Sequence, residues 1–199
     1  MLKITETPPL WKRPMPDALN PTAARTTPPG PGAAPELGNP VSPDAYRFAM
    51  RFVPSAVTII TARHDGKRNG LTATAVASVS ADPPQLLVCV NRQASAEPLI
   101  AASGRFAVNV LSQAHQEAAN RFSQSKLSGD ERFKDHPWID LPSGVPALAD
   151  AIAVFDCRIL QHSVLGTHSL FIGEVVDTTT SSGEPLLYHA GLYRRLGDR

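Results

Sequence analysis

The chain has no surplus of charge of either sign. Its 19 Lys and Arg balance 18 Asp and Glu over 199 residues, a formal net charge of +1. Without a basic surplus there is no global field to hold nucleic acid or an anionic membrane surface. Long apolar runs are also missing, and none approaches the roughly 20 residues of a membrane span. The first residues carry neither an apolar core nor a small-residue cleavage site, so a cytoplasmic location is expected. Cysteine is scarce. Cys89 and Cys157 both lie in apolar runs and read as buried thiols in a reducing compartment, not as a disulfide.

Chemical signatures are missing too. There is no G-x-G-x-x-G after a strand, no phosphate loop, no G-x-S-x-G and no H-E-x-x-H. Gly66-Lys67 falls in a hairpin turn. The six histidines are scattered and the cysteines lack ligand spacing, so no metal site is expected. No nucleophile–base pair points to hydrolysis.

Proline is abundant, and it is concentrated at one end. Ten prolines, from Pro8 to Pro40, punctuate residues 1–41 and leave no hydrophobic periodicity. The reading is a disordered or polyproline-like tail, followed by one domain over residues 42–199. Ser42-Pro43-Asp44 is a helix start, and Ala45, Ala49, Phe52 and Val53 follow at helical spacing, predicting a short helix that packs one face.

From there the chain is β-rich. Strands are predicted at Ala56–Ala62, Gln85–Asn91 and Arg105–Leu111. His64–Gly70 reads as a hairpin turn with Asp-Gly and Asn-Gly signals. Gly70–Ser80 is a segment of small and hydroxylated residues, expected to be a loop that lets the backbone approach a planar ligand. Ser95 is placed as the cap of a helix to Ala102, and Ser112 as the cap of a helix over Gln113–Gln124. Residues 125–146 read as a long polar connection. Strands near Ala151–His162 and His168–Thr179 and two short ones at Leu186–His189 and Leu192–Leu196 complete the chain. With no βαβ alternation, this predicts a mainly β fold, an antiparallel barrel with a few flanking helices.

Several stretches then resemble one family in order and spacing. They are Pro54–Thr61, Gly70–Ala75, Ser78–Pro84, Leu87–Asn91, Gly104–Leu111, Gly166-Thr167-His168, Ile172–Val175 and Pro185–His189. From Tyr46 to Leu196 the chain resembles the flavin reductase-like family, which has an FMN-binding split β-barrel. The resemblance implies an NAD(P)H:flavin oxidoreductase that passes hydride to FMN or FAD and supplies a partner flavin-dependent monooxygenase. It implies a homodimer with the flavin near the subunit interface, using NADH or NADPH.

It also implies site residues. Thr72, Ala73, Thr74 and Ala75, with Cys89, Val90 and Asn91, would line the flavin ring and ribityl chain. Ser95 would sit towards the phosphate. Ser55, Ala56, Val57 and Thr58 would lie nearby, Phe106 would pack under the site, and His168 would face flavin and nicotinamide as the catalytic residue. Tyr193 and Arg194 are further candidates for the nicotinamide side. The chain departs from the family pattern at Ser55-Ala56, Leu71, Val76 and Thr167, where Thr-Gly, Met, an aromatic and an acid are usual. Hydride transfer suits a site of Thr, Ala, Ser and Asn, because the cofactors carry the chemistry. Two other readings stay open: a flavoprotein that keeps its flavin and reduces a different acceptor, and a non-catalytic flavin-binding module.

Overall fold

The computed structural model describes residues 38–197. The predicted tail therefore lies almost wholly outside the described residues. Helix α1 (Pro43–Met50) is capped by Ser42, whose Oγ accepts from the Ala45 amide at 3.2 Å, with Pro43 at its first position. None of its residues is buried.

The body starts at Pro54. Its strands in chain order are β1 (Ser55–Ala56), β2 (Thr58–His64), β3 (Lys67–Ala73), β4 (Val76–Ala81) and β5 (Pro84–Asn91). After α2 (Glu97–Ser103) comes β6 (Arg105–Val110). A 3₁₀ turn (Gln113–His115) leads into α3 (Gln116–Ser123), followed by α4 (Gly129–Arg132), β7 (Trp138–Asp140) and β8 (Pro146–Leu148). The long hairpin β9 (Ala153–Leu165) and β10 (His168–Thr180) precedes β11 (Leu187–His189) and β12 (Leu192–Arg194).

Seven strands form one antiparallel sheet in the order β3-β2-β6-β9-β10-β5-β4. Its two edges, β3 and β4, are joined by Thr74 and Ala75 alone. Laid flat, seven strands would hold their edges about 29 Å apart, while three residue steps reach about 10 Å. The sheet must therefore curl until its edges meet. The Cys89 amide of β5 donates to the Ala75 carbonyl at 3.0 Å, carrying the β4–β5 pairing into that two-residue link. β11 pairs with β1 and β12 to form a separate small sheet beside this barrel.

Strand alternation explains why β2 and β6 are buried on both faces. Ile59 and Ala107 enter one core with Val57, Leu111, Phe122 and Phe133, and Trp138 and Tyr193 pack against it. Ile60, Phe106 and Val108 enter the other with Ala73, Val88, Val90 and Phe171. In the first core Phe122, Phe133 and Trp138 form a ring cluster with centroids 4.7–5.3 Å apart. Each such pair is worth roughly 0.5–1.5 kcal/mol beyond its buried area. In the second, Gly173 of β10 admits the Phe106 ring; a Cβ there would lie 2.7 Å from Phe106 Cζ.

Local expectations differ from the structure in four places. Gly70–Ser80 is not a loop but the end of β3, a two-residue break and β4. Asn69-Gly70 lies inside β3, and the turn is Asp65-Gly66, both at positive φ (48° and 73°). Ser95 does not cap α2. The cap position is Ala96, and Ser95 Oγ instead accepts hydrogen bonds from Asn69 and Arg132. The connection 125–146 holds α4 and the β7–β8 pair, α4 being fixed by a reciprocal cap between Ser128 and Glu131.

Candidate functional site

An open cleft of about 610 Å³ lies where β3 leaves the sheet, bounded by α3 and the β11–β12 pair. That volume is in the usual range for small-molecule sites. Val57, Thr72, Ala73, Thr74 and Tyr193, all predicted site residues, line it. Joining them are Gln116, Asn120 and Ser123 of α3, with Tyr188, Gly191 and Leu192.

Each side chain is positioned by its element. Thr72 lies in β3 and Thr74 just past its end, and both line the cleft. The Thr72 hydroxyl donates to the Ala119 carbonyl at 2.6 Å, which ties β3 to α3 and leaves an oxygen lone pair for a ligand. Thr74 is exposed, and its hydroxyl has no partner among the described residues. Gln116, Asn120 and Ser123 recur at i, i+4 and i+7, opposite the buried Ala118, Ala119 and Phe122. Tyr188 and Tyr193 meet edge to face at 5.7 Å. Burial first, and then the charge of Tyr188, raises the Tyr193 phenol above its ordinary pKa. The phenol thus stays neutral and can donate.

The remaining predicted residues lie around the cleft. Ser55 and Ala56 form β1, opposite Tyr188 and Leu187. Thr58 is buried, with its hydroxyl donating to the Ala73 carbonyl at 2.7 Å, so it shapes the strand beneath. Ala75 is bonded to Cys89, as described. Cys89, Val90 and Asn91 pair with Leu170, Ser169 and His168 of β10. His168 is exposed, its Nδ1 2.9 Å from Thr167 Oγ1, and it is not among the residues lining the cleft. Phe106 is fully buried in the core that includes Ala73 and Val88. Burial raises the thiol pKa at Cys89, and raises it to about 12 at Cys157, where Asp156 adds its charge. Neither is set up as a nucleophile.

Sequence reasoning missed the amide-bearing face of α3. Its signal was the Gln116–Asn120–Ser123 spacing, which stood beside the apolar positions that were used.

The donor set defines what fits. The cleft lining holds no carboxylate, and no group of His, Cys, Asp and Glu among the described residues could hold a metal. Flat apolar surface from Val57, Ala73 and Leu192 lies beside neutral donors and acceptors. This suits a planar heteroaromatic ring with N–H and C=O on its edge, as a flavin has.

A curled antiparallel barrel, opening beside its edge-to-edge junction onto a neutral polar cleft, is the architecture of a split-barrel cofactor-binding protein. The chain belongs to the flavin reductase-like family, whose model (flavin reductase like domain) matches residues 50–197. It is 43% identical over 159 residues to the FMN reductase (NADH) RutF of Methylorubrum extorquens, covering 79% of this chain and 77% of that protein. The NADH:FAD oxidoreductase SgcE6 of Streptomyces globisporus, solved with NAD and FAD fragments, superposes with a TM-score of 0.73 at 30% identity, covering 80% of this chain and 98% of that one. BorF, the flavin reductase component of a bacterial two-component tryptophan halogenase, gives the same score and identity, covering 79% and 100%.

Proposed function

We propose that the chain is an NADH-dependent flavin reductase that supplies reduced flavin to a separate oxygenase component. The observation that carries this is the cleft at Thr72–Thr74, lined by neutral groups, in a chain of the flavin reductase-like family. Bound flavin supplies the ring that accepts a hydride from NADH.

The chain's own residues bind and orient. Thr72, anchored to α3, would offer its remaining lone pair to a bound flavin, and the free hydroxyl of Thr74 would be a donor to it. Gln116 and Asn120 offer amides across the cleft, and Tyr188 and Tyr193 wall its far side. His168, brought next to Asn91 by the β5–β10 register, faces the nicotinamide and orients it. The relatives that serve two-component systems support a flavin that enters and leaves as a substrate over one that is retained. Exchange is what delivery to an oxygenase requires.

Two further readings belong to the same proposal. The protein acts as a cytoplasmic enzyme; no described helix is long and apolar enough to cross a membrane. It works as a homodimer, a reading supported by half-exposed Leu160 and Val164 and by Leu165, 63% exposed, on the outer part of the β9–β10 hairpin. The catalytic domain is assigned to residues 42–199.

The test is anaerobic mixing with NADH and a molar excess of free FMN or FAD, following the oxidised-flavin absorbance. Bleaching of the whole flavin pool is expected. Bleaching of only one flavin per chain would replace the exchangeable flavin with a resident one, and no bleaching with flavin bound would remove the enzyme reading.

A further inference from the structure

One buried imidazole takes no part in the binding described so far. His115 ends the 3₁₀ turn that leads into α3, and it is only 2% exposed. Its amide donates to the Ser112 carbonyl at 3.0 Å, and its ring Nδ1 accepts from the Ser112 amide at 3.1 Å. Accepting from an amide places the ring proton on Nε2. Nε2 lies 3.2 Å from Asp150 Oδ1 without the alignment of a hydrogen bond, and the Asp150 side chain is 56% exposed. The His136 ring stands edge-on with its centroid 6.1 Å away, its own Nε2 buried and unpartnered.

Ser112 joins the two walls of the cleft. It forms a bridge with Pro185, two residues before β11, and the neighbouring Gln113 amide donates to the Glu184 carbonyl at 3.0 Å. On the other side Gln116 directly follows His115 and lines the cleft, and the Ala119 carbonyl one turn later holds Thr72. The nitrogen that accepts the Ser112 amide therefore sets where α3 starts relative to the β11–β12 pair. Acceptors at this place in a helix start are ordinarily Glu or Gln. A buried carboxylate would bring an uncompensated charge, and a glutamine would serve at every pH. An imidazole serves only while neutral. A proton on Nδ1 turns the acceptor into a second donor facing the Ser112 amide, and leaves Ser112 Oγ, 3.0 Å away, to accept from it.

We infer that His115 is a positioning residue for the flavin cleft: as a neutral acceptor it holds the α3 wall in register with β11–β12, and its protonation loosens that wall. The inference rests on the flavin reading of the cleft. The titratable and charged groups around this helix start come from each neighbouring segment. They are Asp150 before β9, His136 before β7, Glu117 on α3, Glu184 before β11, and Arg194 and Arg195, which border a recess with Gln113 and Gln116. An imidazole changes charge between about pH 5 and 8. Flavin affinity is therefore full above that range and falls as the pH drops through it. By reciprocity, bound flavin favours the uncharged ring.

Flavin-free full-length chain is titrated with FMN and with FAD at about pH 7.5 and about pH 5.5, on either side of the imidazole midpoint, reading flavin fluorescence. The FMN phosphate titrates in the same range, so the comparison is between variants. Between the two pH values the unmodified chain is expected to lose about fivefold more affinity than His115→Gln, on the order of one lost hydrogen bond. His115→Gln keeps a neutral acceptor without the titration. His115→Ala keeps no acceptor and should bind more weakly than His115→Gln at both values. Equal pH dependence in the unmodified chain and His115→Gln would mean a purely structural histidine and overturn the inference. If His115→Gln does not fold, Asp150→Asn decides, because Asp150 is exposed. A neighbouring carboxylate favours a charged imidazole, so its removal should move the fall in affinity to lower pH, and an unmoved fall would overturn the inference. Failure of the unmodified chain to bind either flavin at the higher pH would sink the flavin reading itself, and the positioning role with it.

Discussion

At the residue scale, two threonines that line the cleft carry different burdens. Thr72 spends its hydrogen on the Ala119 carbonyl, so Thr72→Val leaves that carbonyl unpaired. A stability loss of about 1–2 kcal/mol is expected, read as a lower denaturant midpoint at constant slope. Thr74 bonds to nothing among the described residues and is exposed. Thr74→Val should leave the midpoint in place and weaken flavin binding by about 1 kcal/mol; a moved midpoint with unchanged affinity would reverse the roles given to the pair. His168 stands apart from the cleft-lining set. If it orients the nicotinamide, His168→Ala lowers kcat for NADH oxidation and leaves the flavin Kd alone. An unchanged kcat would take it out of the site. The family resemblance, not composition, pointed to Thr72, Thr74 and Tyr193; composition alone marked the small hydroxylated run Gly70–Ser80, which ordinary strand propensity explains equally well. Neither picked out His115, because a lone histidine at a helix start reads as solvated until its burial is seen.

At the scale of elements, the hydrophobic runs were legible because both faces of β2 and β6 are covered and β5 is buried on one face and half-buried on the other, so continuous apolar stretches survive. The Gly70–Ser80 segment was not. Its Ala and Ser content lowers β propensity, and pairing with β2 and β5 overrides that local weakness. Capping signals were legible in part. Ser42-Pro43-Asp44 gave α1, whereas the Ser128–Glu131 reciprocal cap marks a helix of one turn, too short to show any periodicity. Gly173 is an element-scale requirement of another kind. It sits in β10 where Phe106 Cζ and Cys157 Cβ would lie 2.7 and 2.9 Å from an added Cβ. Gly173→Ala is expected to cost about 1–3 kcal/mol through overpacking. Adding Phe106→Leu should return part of it, giving a favourable interaction energy in a double-mutant cycle. Strictly additive losses would show that the ring does not press on this glycine.

At the scale of the whole molecule, the β9–β10 hairpin outruns the sheet that supports it. β6 ends its pairing at Arg105, opposite Arg158, and the Ile159 amide makes a last bond to the Gly104 carbonyl. Beyond that point β10 still covers one edge of β9, but no described strand covers the other. The uncovered edge also carries Leu160 and Val164, each 49% exposed, and Leu165 at 63%. An unpaired strand edge with apolar side chains is an invitation to pair, and proteins that do not use such an edge charge it or twist it away. Charge does not protect this one, since Gln161, Ser163 and Thr167 are uncharged; the irregularity at Leu160, opposite Ile172 and Gly173, falls only at its start. A second copy of the same hairpin would bury these side chains on both subunits at once, as a two-fold interface does. It would also set the His168 end of β10 against another chain. Val164→Asp should therefore shift the protein from dimer to monomer in sedimentation or size-exclusion measurements, with its circular dichroism retained. NADH-driven flavin reduction should fall along with the dimer if His168 serves a site that the partner completes. A variant that stays dimeric would move the interface off this hairpin, and one that becomes monomeric at full activity would leave each site whole within its own chain.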